Sequence, residues 1–158
     1  EKRTKWVLNA GDQIRRDIKS AQLWMLGSEK NPNIRFVDKY FRAPSPEVKR
    51  QFYNSVNVWL APTMSEGLHM PPAEAMLTEC PVVGTNAELS GMQDYLINDK
   101  TGIVSKNDYP SFFYAVKRLI KSPKRATEFG KNGRLRILEL GTRRDNMMGL
   151  VNILEMGI

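Results

Sequence analysis

The sequence predicts an α/β fold built on a doubly wound parallel sheet. Three observations predict it. Short apolar runs alternate with amphipathic helical stretches along the whole chain. The runs are continuous rather than in/out alternations, as strands are when helices cover both sheet faces. Clusters of Gly, Pro and Asn separate the segments. With 158 residues the chain is long enough for one domain.

The elements follow in order. In residues 3–18, Trp6, Ala10, Ile14 and Ile18 recur every fourth position with charges between them, which predicts an amphipathic helix. Ala21–Leu26, ending at Gly27, reads as a buried strand. Asn31-Pro32-Asn33 breaks the chain, and Ile34–Val37 reads as a second strand. Ser45-Pro46-Glu47 starts a helix, with Ser as N-cap and Pro in the first helical position. Val48 and Phe52 give that helix an apolar side. Val56–Ala61 is the next strand, followed by a loop over Pro62–Met70. Pro71-Pro72 opens a helix reaching about Glu79. Pro81–Thr85 is a β-branched strand, Gly91–Leu96 a short helix, Asn98–Gly102 a turn and Ile103–Ser105 a last strand. Asp108 caps a helix whose stripe is Phe112, Val116, Leu119 and Ile120. Helical pieces over 123–139 and 143–156 complete the chain.

Composition excludes several classes. One cysteine, Cys80, rules out an internal disulfide framework, and one histidine, His69, rules out a multi-histidine metal centre. No apolar run approaches the ~20 residues needed to cross a bilayer, and the opening residues do not read as a signal peptide. Net charge is +7, unevenly spread. Residues 1–50 carry net +6, residues 51–100 net −5 and residues 101–158 net +6. The acidic middle holds the motif-like residues, so a nucleic-acid groove is not expected. The cations fall on helical stretches, such as Lys117, Arg118, Lys121, Lys124 and Arg125. They read as solvated faces, with attraction to an anionic membrane or a charged partner as the alternative. Trp6, Trp24 and Trp59 read as core, and Cys80 as a small buried hydrophobe.

Ligands of open parallel sheets sit outside the carboxyl ends of the strands. The Pro62–Met70 loop lies at that edge and runs into a helix. Gly67 allows close backbone approach and positive φ. The helix start near Pro71 offers free N–H groups and a positive dipole end to an anion. Glu66 and Glu74 stand eight residues apart, one on the loop and one in the first helical turn. A carboxylate suits a vicinal diol such as a ribose or sugar edge. For Glu74 the alternative is support of the helix N-terminus. For Glu66 and His69 it is a solvated surface role.

Taken together, Glu66-Gly67, six residues, Glu74-Ala75-Met76, four residues and Pro81-Val82-Val83 between two strands resemble the nucleotide-binding lobe of group 1, retaining glycosyltransferases. The resemblance covers nearly the whole chain. It implies one Rossmann-like lobe of a GT-B fold, with residues 1–158 as the C-terminal donor-binding lobe and the acceptor lobe absent from this chain. It implies that Glu66 contacts the donor sugar as the catalytic glutamate. Gly67, Leu68 and His69 would meet the diphosphate and sugar through their N–H groups. Glu74 would hold the ribose hydroxyls, Thr63 matches a small hydroxyl residue before the pair, and Lys2 matches a diphosphate-neutralising lysine. The sequence departs from the family at Glu79 and Arg3, where glycines are usual, and Asn86–Gly91 lacks a double glycine. Residues 38–41 are the candidate base pocket.

The implied reaction moves a sugar from a nucleotide-diphosphate sugar to a glycan or lipid-linked acceptor, with retention of configuration. N–H groups and a lysine would offset charge on the leaving diphosphate. No Asp-x-Asp occurs, so the expectation is a metal-independent reaction with no cofactor beyond the substrate nucleotide. Expected partners are the nucleotide sugar, the acceptor and the chain's own N-terminal lobe, with peripheral membrane contact and no nucleic acid. The expected location is cytoplasmic, at the inner membrane face, in polysaccharide biosynthesis. Two readings stay open beside this one: the lobe of a GT-B sugar-nucleotide epimerase, and a non-enzymatic basic α/β binding module.

Overall fold

The computed structural model describes residues 3–30 and 36–156. In chain order the elements are α1 (Thr4–Asp17), β1 (Trp24–Gly27), β2 (Lys39–Arg42), α2 (Pro46–Ser55), β3 (Trp59–Ala61), β4 (Ser65–Glu66), α3 (Met70–Leu77), β5 (Val82–Thr85), β6 (Leu89–Ser90), a 3₁₀ turn (Gly91–Asp94), β7 (Gly102–Ser105), α4 (Tyr109–Ile120), α5 (Pro123–Glu139) and α6 (Arg143–Met156). Every strand pair is parallel: β1 with β2, β3 with β5, β5 with β7, and β4 with β6.

The expected helix starts form for the expected reasons. Ser45 Oγ accepts from the Val48 N–H at the head of α2. Asp108 accepts from the Ser111 N–H at 2.8 Å at the head of α4. Successive residues of β5 divide between two cores. Val82 packs with Phe52, Tyr53, Ala73 and Met76 of α2 and α3. Val83 packs with Ala10 and Ile14 of α1 and Phe112, Val116 and Leu119 of α4. Helices therefore cover both faces, which is why the strands read as unbroken apolar runs. Trp24 and Trp59 pack against the first core and Trp6 against the second, and Cys80 is buried.

Two expectations, the second strand and the apolar side of α2, need correction. The second strand is Lys39–Arg42, not Ile34–Val37. Of that earlier span, Ile34 and Arg35 lie outside the described residues, and Phe36 has φ 87°, which no strand tolerates. Residues 38–41, the candidate base pocket, are consequently the approach to this strand and the strand itself. Asp38 is ion-paired with Arg15 there and accepts the Leu23 N–H at 2.7 Å. Finally, Val48 is exposed, and the buried side of α2 is Phe52 and Tyr53. The proposed break at Asn31-Pro32-Asn33 lies outside the described residues.

The sheet is also interrupted. Hydrogen bonding joins β1 to β2 and β3 to β5 and β7, but β1 and β3 do not pair. A cavity of about 550 Å³ lies between them.

Candidate functional site

The loop after β3 runs along the carboxyl edge of the β3–β5–β7 sheet. Ser65 and Glu66 form β4 against Leu89 and Ser90 of β6, and the Gly67 carbonyl accepts the Gly91 N–H at 2.9 Å. At Gly91 only glycine fits, since a Cβ there would lie 2.6 Å from the Gly67 oxygen. Tyr95, fully buried, fastens the next stretch: its hydroxyl donates to the His69 carbonyl at 2.7 Å and lies 3.2 Å from the Leu68 carbonyl. Burial first, then the neighbouring Asp94 charge, pushes this phenol well above its usual pKa, so it remains a donor.

Positive φ falls at His69 (φ 53°, ψ 66°), the residue entering α3, rather than at Gly67. Gly67 instead faces open space, with no atom within 4 Å of where a Cβ would be. The helix tip is poorer in donors than the sequence reading supposed. The four unpaired N–H positions of a helix start are the cap and the next three residues. Here two of those three are Pro71 and Pro72, which carry no N–H. Leu68 is exposed on this rim, and Thr63 is buried with its hydroxyl unpartnered among the described residues.

Glu74 does not support the start of its own helix. Its Oε1 accepts from Lys49 Nζ at 2.8 Å and its Oε2 from the Tyr53 hydroxyl at 3.0 Å. Both partners belong to α2 and stand four residues apart, on one helical face. Burial, with the Glu74 charge second, pushes the Tyr53 phenol well above its usual pKa, which keeps it protonated. The Glu74 side chain stays 28% exposed, and each carboxylate oxygen keeps further acceptor capacity. Glu66 makes no side-chain hydrogen bond or ion pair among the described residues. The large cavity takes in Arg3, Thr63, His69 and Pro71, but neither glutamate lines it. Lys2 lies outside the described residues.

Sequence reasoning missed Lys49, Tyr53 and Tyr95. The four-residue spacing on α2 was visible, but nothing in the sequence says that α2 lies beside α3. Several basic residues prove to be structural ties. Lys117 pairs with Asp17, Arg118 and Arg125 both pair with Asp99, and Arg134 and Arg136 donate to the Leu77 and Asp94 carbonyls. Among the described residues no three His, Cys, Asp or Glu side chains come together as a metal site would require.

Parallel strands covered by helices on both faces, with a loop-borne rim at their carboxyl edge, define a Rossmann-like α/β lobe. The chain belongs to the group 1 glycosyltransferases: the family "Glycosyl transferases group 1" matches residues 1–122. It is 34% identical over 109 residues to the capsular polysaccharide biosynthesis glycosyltransferase CapM of Staphylococcus aureus, covering 68% of this chain and 27% of that protein. Its fold matches sucrose-phosphate synthase from Thermosynechococcus elongatus with a TM-score of 0.77 at 21% identity, over 98% of this chain and 43% of that one. It also matches HepE from Anabaena, in complex with UDP and glucose, with a TM-score of 0.77 at 13% identity, over 98% of this chain and 45% of that one. The chain thus spans less than half the length of each.

Proposed function

We propose that this chain is the donor-binding lobe of a retaining glycosyltransferase that moves a sugar from a nucleotide-diphosphate sugar to a glycan or lipid-linked acceptor. The observation that carries the reading is the Glu74 carboxylate. It is held by one donor on each oxygen, partly exposed midway along α3, and has acceptor capacity left for a vicinal diol. The family membership and the likeness to a UDP-bound fold support it.

In this reading Glu74 binds the ribose hydroxyls while Lys49 and Tyr53 fix its rotamer. Glu66, with no competing partner among the described residues, orients the donor sugar and stabilises positive charge developing at its anomeric carbon. The N–H groups of the Gly67–Met70 stretch face the diphosphate, and Thr63 lines the rim. Negative charge on the departing diphosphate is offset by these dipoles and by nearby cations, with Lys2 proposed among them and no metal step required. The acceptor and the second lobe lie outside this chain, and the proposed setting is the cytoplasmic face of the membrane in polysaccharide synthesis.

Calorimetric titration with UDP and GDP tests it. Glu74→Ala removes a charge-assisted hydrogen bond, so nucleotide affinity should fall by about 1.5–3 kcal/mol, roughly 10- to 150-fold. Glu66→Ala should leave nucleotide affinity within about threefold and lower turnover in the whole enzyme. Equal effects of both substitutions on UDP binding would contradict this division. No binding of either nucleotide would reject the reading.

A further inference from the structure

We propose that the outer face of α4 docks this protein on an anionic lipid surface, with Tyr114 entering the headgroup layer and Lys19, Lys121 and Lys124 meeting lipid phosphates. α4 packs inward on β5 and β7 and touches both α1 and α5. Its inner stripe, Phe112, Val116 and Leu119, is buried in the second core. Its outer stripe is Tyr114, Lys117, Arg118 and Lys121, at three- and four-residue spacing and so on one helical face. Tyr114 is 67% exposed. Lys19 lies two residues beyond Asp17, whose carboxylate meets Lys117. Lys124 stands in the first turn of α5 beside Arg125, which joins Arg118 at Asp99. These contacts bring both lysines to the margins of the stripe.

The face is cationic because its acids are already paired. Asp17 is bonded to Lys117, with Lys121 a weaker neighbour. Asp99 is shared by Arg118 and Arg125, so two guanidinium groups meet one carboxylate. Lys19, Lys121 and Lys124 are exposed and make no ion pair among the described residues. Glu128, an exposed acid one turn further along α5, stands three residues from the exposed Lys131. Surplus positive charge gathered on one face attracts a polyanion.

Among polyanions a lipid surface fits this face best. It is the convex outside of packed helices, not a groove that would track a nucleic-acid backbone. Its apolar content is one exposed ring, far short of the dry centre of a stable protein interface. Lysines on long apolar stems, and a tyrosine with one apolar and one polar end, are side chains that settle at a membrane surface. α4 starts just past the carboxyl end of β7, where Asp108 caps it. Docking by α4 therefore sets the sheet face-down and leaves its carboxyl edge open at the side, within reach of an acceptor tethered to lipid. That benefit rests on the donor-lobe reading above, whereas the docking itself does not.

Vesicle co-sedimentation of the full native polypeptide tests the proposal, on phosphatidylcholine alone and on its mixture with phosphatidylglycerol. Binding should need the anionic lipid and weaken with added salt. Each basic residue near such a surface changes partitioning about fivefold, so Lys121→Gln combined with Lys124→Gln should lower it about 25-fold. Tyr114→Ser should lower it about threefold even in high salt. Arg50→Gln, on the exposed side of α2 over the other core, should change it by less than about twofold. UDP titration of the same variants should match the parent, so loss of vesicle binding and failure of the donor-lobe reading stay distinguishable. No binding, equal binding to neutral vesicles, or unchanged partitioning of the double variant would overturn the proposal. So would tighter binding of single-stranded RNA that the same variants lose, which would assign the face to nucleic acid.

Discussion

Gly130→Ala should destabilise the protein although alanine is the better helix former. Gly130 lies inside α5 and is buried. An ideal Cβ there would sit 2.0 Å from the Glu79 carbonyl oxygen and 2.9 Å from its carbon. Even weak C–H···O contacts hold carbon and oxygen at about 3.3 Å or more. The helix must therefore retreat by about 1 Å from the turn between α3 and β5, and both sides of the clash are backbone. Overpacking of this kind costs about 1–3 kcal/mol, at the upper end when no side chain can yield. Against this stands a gain of about 1 kcal/mol in helix propensity. The net expectation is a loss of about 2 kcal/mol, or about 4–8 °C in Tm for a chain of this size. Equilibrium urea unfolding measures it, with Gly67→Ala as control. Nothing stands within 4 Å of the Gly67 position, so that variant should stay within about 0.5 kcal/mol of the parent. A Gly130→Ala protein as stable as the parent would refute the argument.

Other outcomes follow from the same geometry. Glu79 has φ 61° at the end of α3, where the family usually places glycine, so Glu79→Gly should stabilise by about 1 kcal/mol in the same urea assay. Burial pushes the Cys80 thiol from 9.0 to about 12, so native protein at pH 8 should resist a thiol-specific reagent and react on unfolding. Because that folded pKa is raised, its stabilising contribution is complete below about pH 9 and is lost as pH climbs toward 12; Cys80→Ala should flatten this alkaline decline. Asp17, Asp108 and Asp145 are held below the ordinary 3.8, by Lys117, by the Ser111 N–H and by Thr142 respectively. Their contribution is present above pH 3.8 and fades as pH falls below it, so replacing all three with Asn should flatten an acid titration of stability. Tyr53→Phe removes one of the two donors on Glu74, and should weaken UDP binding less than Glu74→Ala does; an equal or larger loss would show that Tyr53 does more than orient the carboxylate.

The amino-acid sequence by itself determined the class of fold and most of its local elements. Helix caps at Ser45 and Asp108, the stripe through Phe112, Val116 and Leu119, and the apolar run at Val82–Val83 are local signals. Each depends on propensity, capping or periodicity over a few residues. The spacing of Glu66 and Glu74, with their flanking glycine and apolar residues, likewise sufficed to indicate the family. Tertiary structure decided everything that depends on distant parts of the chain meeting. It moved the second strand to Lys39–Arg42, because Asp38 is tied to Arg15 and Leu23, a pairing across 15 and more residues. It put positive φ at His69 instead of Gly67, because Tyr95 and Gly91 fasten the loop from outside. It gave Glu74 its partners, because α2 and α3 pack side by side and bring Lys49 and Tyr53 to it. And it set β1–β2 and β3–β5–β7 as separate hydrogen-bonded sheets on either side of a cavity, since which strands pair depends on neighbours in space.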